Sequence, residues 1–60
     1  MDVAKIAEYA QSLYNAHGDK AEAEAAQKAK KYQEEGNEAE AQTWQSVRRA
    51  ISEIRGAHES

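Results

Sequence analysis

Two histidines, His17 and His58, are the side chains best suited to metal binding or proton transfer in this chain of 60 residues. A zinc-binding histidine on a helix usually has a second ligand three or four positions away. Neither histidine has one, and Lys20 and Ala21 occupy those positions after His17. We therefore expect both histidines to be structural or incidental.

Closely spaced carboxylates, such as Glu22 with Glu24 and Glu34 with Glu35, are the next candidates for acid–base chemistry. Neighbours at i+1 and i+2 do not face each other on a helix, and no motif predicts a pocket that would shift their pKa values. The chain has no cysteine, no serine at a recognisable spacing from a histidine, and no phosphate-binding glycine motif. The sequence therefore predicts no catalytic, cofactor-binding or metal-binding residue, and a protein that is not an enzyme.

Basic side chains offer a contact with nucleic acid if the helices bring them together. The chain nevertheless carries 8 basic against 11 acidic side chains, for a net charge of −3. Nucleic-acid-binding proteins usually have a net basic surface, so weak nucleic-acid binding is an alternative rather than the main expectation. The residues that would carry it are Lys28, Lys30, Lys31, Arg48 and Arg49.

A repeated hexapeptide, G-[D/N]-x-A-E-A, marks the boundaries of the elements that position these side chains. Glycine favours the left-handed conformation that ends a helix, and Asp or Asn favours the N-cap of the next one. A glutamate three positions after the cap completes a capping box. Each copy therefore predicts an abrupt turn between helices, and we expect the two turns to be equivalent. The copies contain Gly18, Asp19 and Glu22, and Gly36, Asn37 and Glu40.

The composition, without proline and rich in Ala, Glu, Gln, Lys and Arg, predicts an all-α fold. We expect a small antiparallel three-helix bundle with helices over about 2–17, 19–35 and 37–55. It would be a single domain over 1–56, with Gly56 ending the last helix and 57–60 a frayed tail. The 18 residues between the copies equal five helical turns, so the apolar stripe stays in phase through Gly18. The alternative is therefore a helix over 3–35 in a two-helix hairpin that dimerises into a four-helix bundle.

The candidate inner faces differ in bulk. The first and third helices carry large apolar residues at helical spacing, whereas the middle helix contains no Leu, Ile or Val. Its backbone could therefore lie very close to a neighbour. We expect Trp44 to anchor the core. So few large side chains predict a marginally stable monomer that gains from association. The predicted partner-binding residues are Ala21, Ala25, Ala29, Tyr32 and Trp44.

The stretch YQEEGNEAEA resembles the turn between the two helices of a tetratricopeptide repeat. Tyr32, Gly36 and Ala41 match that family's aromatic, turn glycine and small residue. The family's period is about 34 residues, longer than the spacing here, and its closing proline is absent. The resemblance implies a helical hairpin used for protein contacts, without particular binding residues. The earlier copy of the pattern is Tyr14, Gly18 and Ala23.

These features together predict a non-catalytic protein–protein interaction module. We expect it to self-associate as a homodimer or to bind a partner helix through the alanine-rich middle helix and the Trp44 face. A ligand-free structural or designed three-helix scaffold is the second alternative. The chain has no apolar stretch of roughly 20 residues and no signal-like beginning, so we expect a cytoplasmic protein that does not enter a membrane.

Overall fold

The chain folds into three α-helices in the computed structural model, which describes residues 2–58 and the side chains of 2–56. Helix α1 spans Val3–His17, α2 spans Lys20–Glu34 and α3 spans Glu38–His58, and residues 2–58 contain no strand. The predicted all-α three-helix bundle is confirmed. The alternative helix over 3–35 is wrong, because α1 ends at His17.

The turn between α1 and α2 depends on Gly18, whose φ is +60° and ψ −133°. Its N–H donates to the Tyr14 carbonyl at 2.7 Å, which closes α1, and its own carbonyl accepts from Ala21 N–H at 3.0 Å. The capping box predicted after this glycine is wrong. Asp19 already has helical dihedrals, and its side chain accepts no capping hydrogen bond. A side chain reaches back to cap a helix from an extended backbone, which Asp19 does not have.

The turn between α2 and α3 is built differently. Gly36 has φ +80°, Gly36 N–H donates to the Gln33 carbonyl at 3.1 Å, and Asn37 N–H donates to the Tyr32 carbonyl at 2.9 Å. These two bonds form a Schellman motif, in which a left-handed glycine satisfies the last carbonyls of the helix. The predicted cap at Asn37 is confirmed, since its Oδ1 accepts from Glu40 N–H at 3.4 Å. The two turns are therefore not equivalent, and that prediction is wrong.

The ends of the fold differ slightly from expectation. Asp2 caps α1 by accepting from Lys5 N–H at 2.9 Å. Helix α3 continues through Gly56 to His58, so the prediction that Gly56 ends it is wrong. A glycine inside a helix costs only about 1 kcal/mol relative to alanine, and Gly56 does not adopt a positive φ. Positions 59 and 60 of the predicted tail lie outside the described residues.

The core consists mainly of alanine. Val47 and Ile51 of α3 are its only large, fully buried side chains among the described residues. Trp44 packs against the edge of the core and is half-buried, so the prediction that it anchors the core is wrong. The contact between α2 and α3 is the most extensive of the three helix pairs, because alanines let the two backbones approach. The buried alanines are Ala10, Ala21, Ala25, Ala29 and Ala41.

Candidate interaction surfaces

The three alanines predicted to receive a partner helix face the inside of the bundle. Ala21 and Ala25 are fully buried and Ala29 is 5% exposed. They form the seam where α2 packs on α3, so a partner could reach them only if the bundle opened. Tyr32 and Trp44, the other two predicted residues, are half-buried. The alanine part of the predicted surface is therefore used within the chain, and α3 takes the place expected for a partner.

Trp44 lies where all three helices meet. The ring of Tyr9 from α1 contacts it edge to face, with centroids 5.6 Å apart and an interplanar angle of 78°. The ammonium of Lys28 from α2 lies over the Trp44 ring, 5.8 Å from its centroid. Such geometries are favourable because an aromatic face carries negative charge density. The aromatic cluster of Tyr9, Lys28 and Trp44 therefore joins the three helices at the surface.

A shallow cleft beside this cluster contains the polar side chains of Glu40 and Thr43. The Thr43 hydroxyl donates to the Ala39 carbonyl of its own helix at 3.1 Å. This hydroxyl is thus already hydrogen-bonded to the backbone of α3. Glu40 is exposed on the first turn of α3, where a carboxylate is favoured by the helix dipole. Both groups have structural explanations within the helix.

A second cleft, the α1–α3 groove, runs between the first and third helices. Its α1 side is apolar and is formed by Val3, Ile6 and Ala7. Val3 is 83% exposed, the most exposed large apolar residue of the described chain. The α3 side combines a small apolar residue with polar and charged ones, namely Ser46, Arg49, Ala50 and Glu53. The groove therefore combines an apolar α1 side with an α3 side that carries both signs of charge.

The basic residues proposed for nucleic-acid contact belong to two helices, and those that line clefts line different ones. Arg48 and Arg49 line a depression formed by α3 alone. Lys28 and Lys31 line one formed by α2 alone, together with the acidic Glu24. The fifth residue of the set, Lys30, is exposed on α2. These two clefts thus do not join the lysines and the arginines into one site.

Arg55 connects the end of α3 to the start of α2. Its guanidinium forms an ion pair with Glu22, and its Nε lies 3.8 Å from Asp19 Oδ1. The contacts Glu22–Arg55 and Lys28–Trp44 run in opposite directions along the two helices, so α2 and α3 are antiparallel. From the sequence alone, Arg55 belongs to the outward face of α3. Its contacts could have been predicted from the antiparallel arrangement, because this arrangement brings a basic residue near the end of α3 opposite acidic residues near the start of α2.

His17 lies at the end of α1, with its Nδ1 3.2 Å from Glu24 Oε1 of α2. This contact connects α1 to α2 across the first turn. The side chain of His58 lies outside the described residues. Among the side chains described, no group of three or more His, Cys, Asp or Glu could hold a metal ion. None of the helices, over the described part of the chain, is long and apolar enough to cross a membrane.

The fold and its clefts define the class of this chain as a small all-α three-helix bundle with an alanine-rich core. Comparison with protein-family models, with curated proteins and with solved structures finds no match.

Proposed function

We propose that this protein is a non-catalytic interaction module that binds a helix, either of a partner protein or of its own second copy, along the α1–α3 groove. The observation that carries the proposal is Val3, a β-branched apolar residue that is 83% exposed on the apolar side of this groove. Contiguous exposed apolar surface rimmed by polar residues is typical of protein-binding sites. The partner would cover Val3 together with Ala7 and Ala50.

The total surface of the bundle supports this proposal. Its accessible area is 4381 Å². A monomeric protein of this mass is expected to expose about 3,900 Å². This surface is about a tenth larger than the relation gives for a monomer of this mass, and Val47 and Ile51 are the only large side chains fully buried among the described residues. Covering part of this surface would add apolar burial that the chain alone does not achieve.

The Trp44 face is the other part of the predicted surface. It lies beside one edge of the buried face of α1, and the α1–α3 groove lies beside the other edge. Tyr9 contacts Trp44 at one edge, while Val3 and Ala7 border the groove at the other. Because Lys28 and Tyr9 already cover parts of the Trp44 ring, less of it is free for a partner. We therefore assign binding to the α1–α3 groove and a structural role to the aromatic cluster.

Site-specific photo-crosslinking tests the proposal. A benzoylphenylalanine in place of Val3 should give adducts with a polypeptide in the cells that produce the protein. The matched control is the same residue in place of Ala23, which is exposed on α2 and lines none of the clefts described above. Adducts at position 3 and few at position 23 would support the module. Absence of protein adducts at both positions would contradict the proposal and favour a ligand-free scaffold. Adducts with nucleic acid would favour the alternative of weak nucleic-acid binding.

A further inference from the structure

We propose that the occupant of the α1–α3 groove is a second copy of this chain, related by a two-fold axis that makes the two α3 helices antiparallel. In this arrangement Arg49 pairs with Glu53 of the partner subunit, and the same pair forms again across the axis. The inference rests on the proposed function, because it names the partner of the same groove. It is carried by the charges, the side-chain sizes and the area of the groove.

The charge pattern of the groove is complementary to itself. Arg49 and Glu53 lie one helical turn apart on α3, both are exposed, and both line the groove. Within residues 2–56, neither side chain forms an ion pair. In an interface with two-fold symmetry, a residue away from the axis meets a different residue of the same patch, and this contact occurs twice. Two copies in antiparallel orientation therefore meet with opposite charges at both ends of the contact.

The order of the two charges favours a partner in another chain. Within one helix, a base followed four residues later by an acid is the less favourable orientation for an ion pair. Arg49 precedes Glu53, so their attraction along α3 is the weaker of the two arrangements. Pairing across a two-fold axis does not have this restriction. Each charge then gains a partner that residues 2–56 of the single chain do not supply.

Small side chains allow the two α3 helices to approach. Pairing residue 49 with residue 53 of the other copy places the axis level with residue 51, next to Ala50, which lines the groove together with Ser46. Alanine and serine at a helix crossing let backbones come close, so that the flanking apolar groups also make contact. Those groups are Val3 and Ala7 of α1. The contact would therefore bury Val3, which is otherwise exposed to water.

The area that a dimer needs sets the extent of the contact. A standard interface buries about 800 Å² on each partner. That is a little under a fifth of the 4381 Å² that the chain exposes. One face of α3 is too narrow to supply it. Both α1 and α3 must therefore contribute, as they do along the groove.

Charge reversal tests the pairing. In sedimentation velocity between about 10 and 500 μM, we expect the wild type to be a reversible dimer. We expect Arg49→Glu and Glu53→Arg each to raise the dissociation constant of the dimer roughly tenfold. Each single variant places like charges across the axis. The double variant, Arg49→Glu with Glu53→Arg, restores opposite charges and should regain the wild-type dissociation constant. Arg48→Glu is the matched control, since Arg48 is exposed on α3 but does not line the groove.

Several outcomes would overturn the inference. A wild type that stays monomeric, or a double variant no better than the singles, would exclude this dimer. If Arg48→Glu weakened association as much as Arg49→Glu, the effect would reflect the net charge of the protein, and the specific pairing of Arg49 with Glu53 would be rejected. Val3→Ser, which keeps all charges, should also weaken the dimer, and circular dichroism would check that each variant is folded. A monomer that crosslinks through position 3 to another protein would reject the second copy but leave the proposed function standing.

Discussion

The ring of Tyr9 meets the ring of Trp44 edge to face, with the centroids 5.6 Å apart. Tyr9 is 42% exposed and lies in α1, whereas Trp44 lies at the edge of the core in α3. The pair therefore joins α1, which has one buried residue, to α3, which supplies the two large buried side chains of the described residues. The ammonium of Lys28 brings α2 to the same ring.

The aromatic pair should show energetic coupling. Replacing Tyr9 and Trp44 by leucine, singly and together, should give a coupling energy of about 0.5–1.5 kcal/mol in the free energy of unfolding. Urea denaturation followed by circular dichroism measures it. Tyr9 with Tyr32 is the control pair, since no ring contact joins them among the described residues. Equal coupling in both pairs would mean that the ring contact contributes nothing.

Substitution of the three glycines by alanine should change the stability of the fold in different directions. An added Cβ would meet nothing within 4 Å at Gly18, Gly36 or Gly56, so only the backbone conformation differs. Gly36→Ala should destabilise by about 1–2 kcal/mol, because its φ is +80°. Gly18→Ala should destabilise by about 1–3 kcal/mol, because φ +60° with ψ −133° is a conformation that side chains other than glycine rarely adopt. Gly56→Ala should stabilise by up to about 1 kcal/mol, because alanine is preferred inside a helix.

Thermal and urea unfolding of the three alanine variants tests this order. Asparagine makes the comparison sharper, because it tolerates the left-handed region. It should be accepted better at Gly36, in a Schellman turn, than at Gly18, whose ψ of −133° lies far from that region. A destabilising Gly56→Ala would indicate that α3 does not continue through this position as an ordinary helix.

The alanine seam should not accept a larger side chain. Ala25 is fully buried between α2 and its neighbours, so Ala25→Leu should destabilise by about 1–3 kcal/mol through overpacking. Ala23→Leu is the matched control on the exposed face of the same helix and should change stability by less than about 0.5 kcal/mol. Chemical denaturation of both variants measures the difference. Equal stabilities would contradict the close packing of α2 on α3.

The boundaries of the helices were largely predictable because they depend on local conformation. Positive φ at Gly18 and Gly36 and the cap at Asn37 follow from the preferences of those residues and of their chain neighbours. Asp2, which caps α1, could have been identified in the same way, since aspartate is a favoured N-cap residue. Gly56 was misleading, because glycine permits the end of a helix without requiring one.

The site was less predictable, because a helical wheel gives the apolar side of each helix and not what covers it. From the sequence alone, the alanines of α2 are predicted to form a smooth surface that any helix could cover. Only the tertiary structure shows that Ala21 and Ala25 are buried in one cluster with residues of α1 and α3, that Trp44 packs at the edge of this cluster, and that Arg55 pairs with Glu22. The sequence by itself determined three helices and their breaks, through backbone preferences that act over a few residues. The tertiary structure decided which faces remain exposed, because burial depends on how the helices approach one another across the bundle.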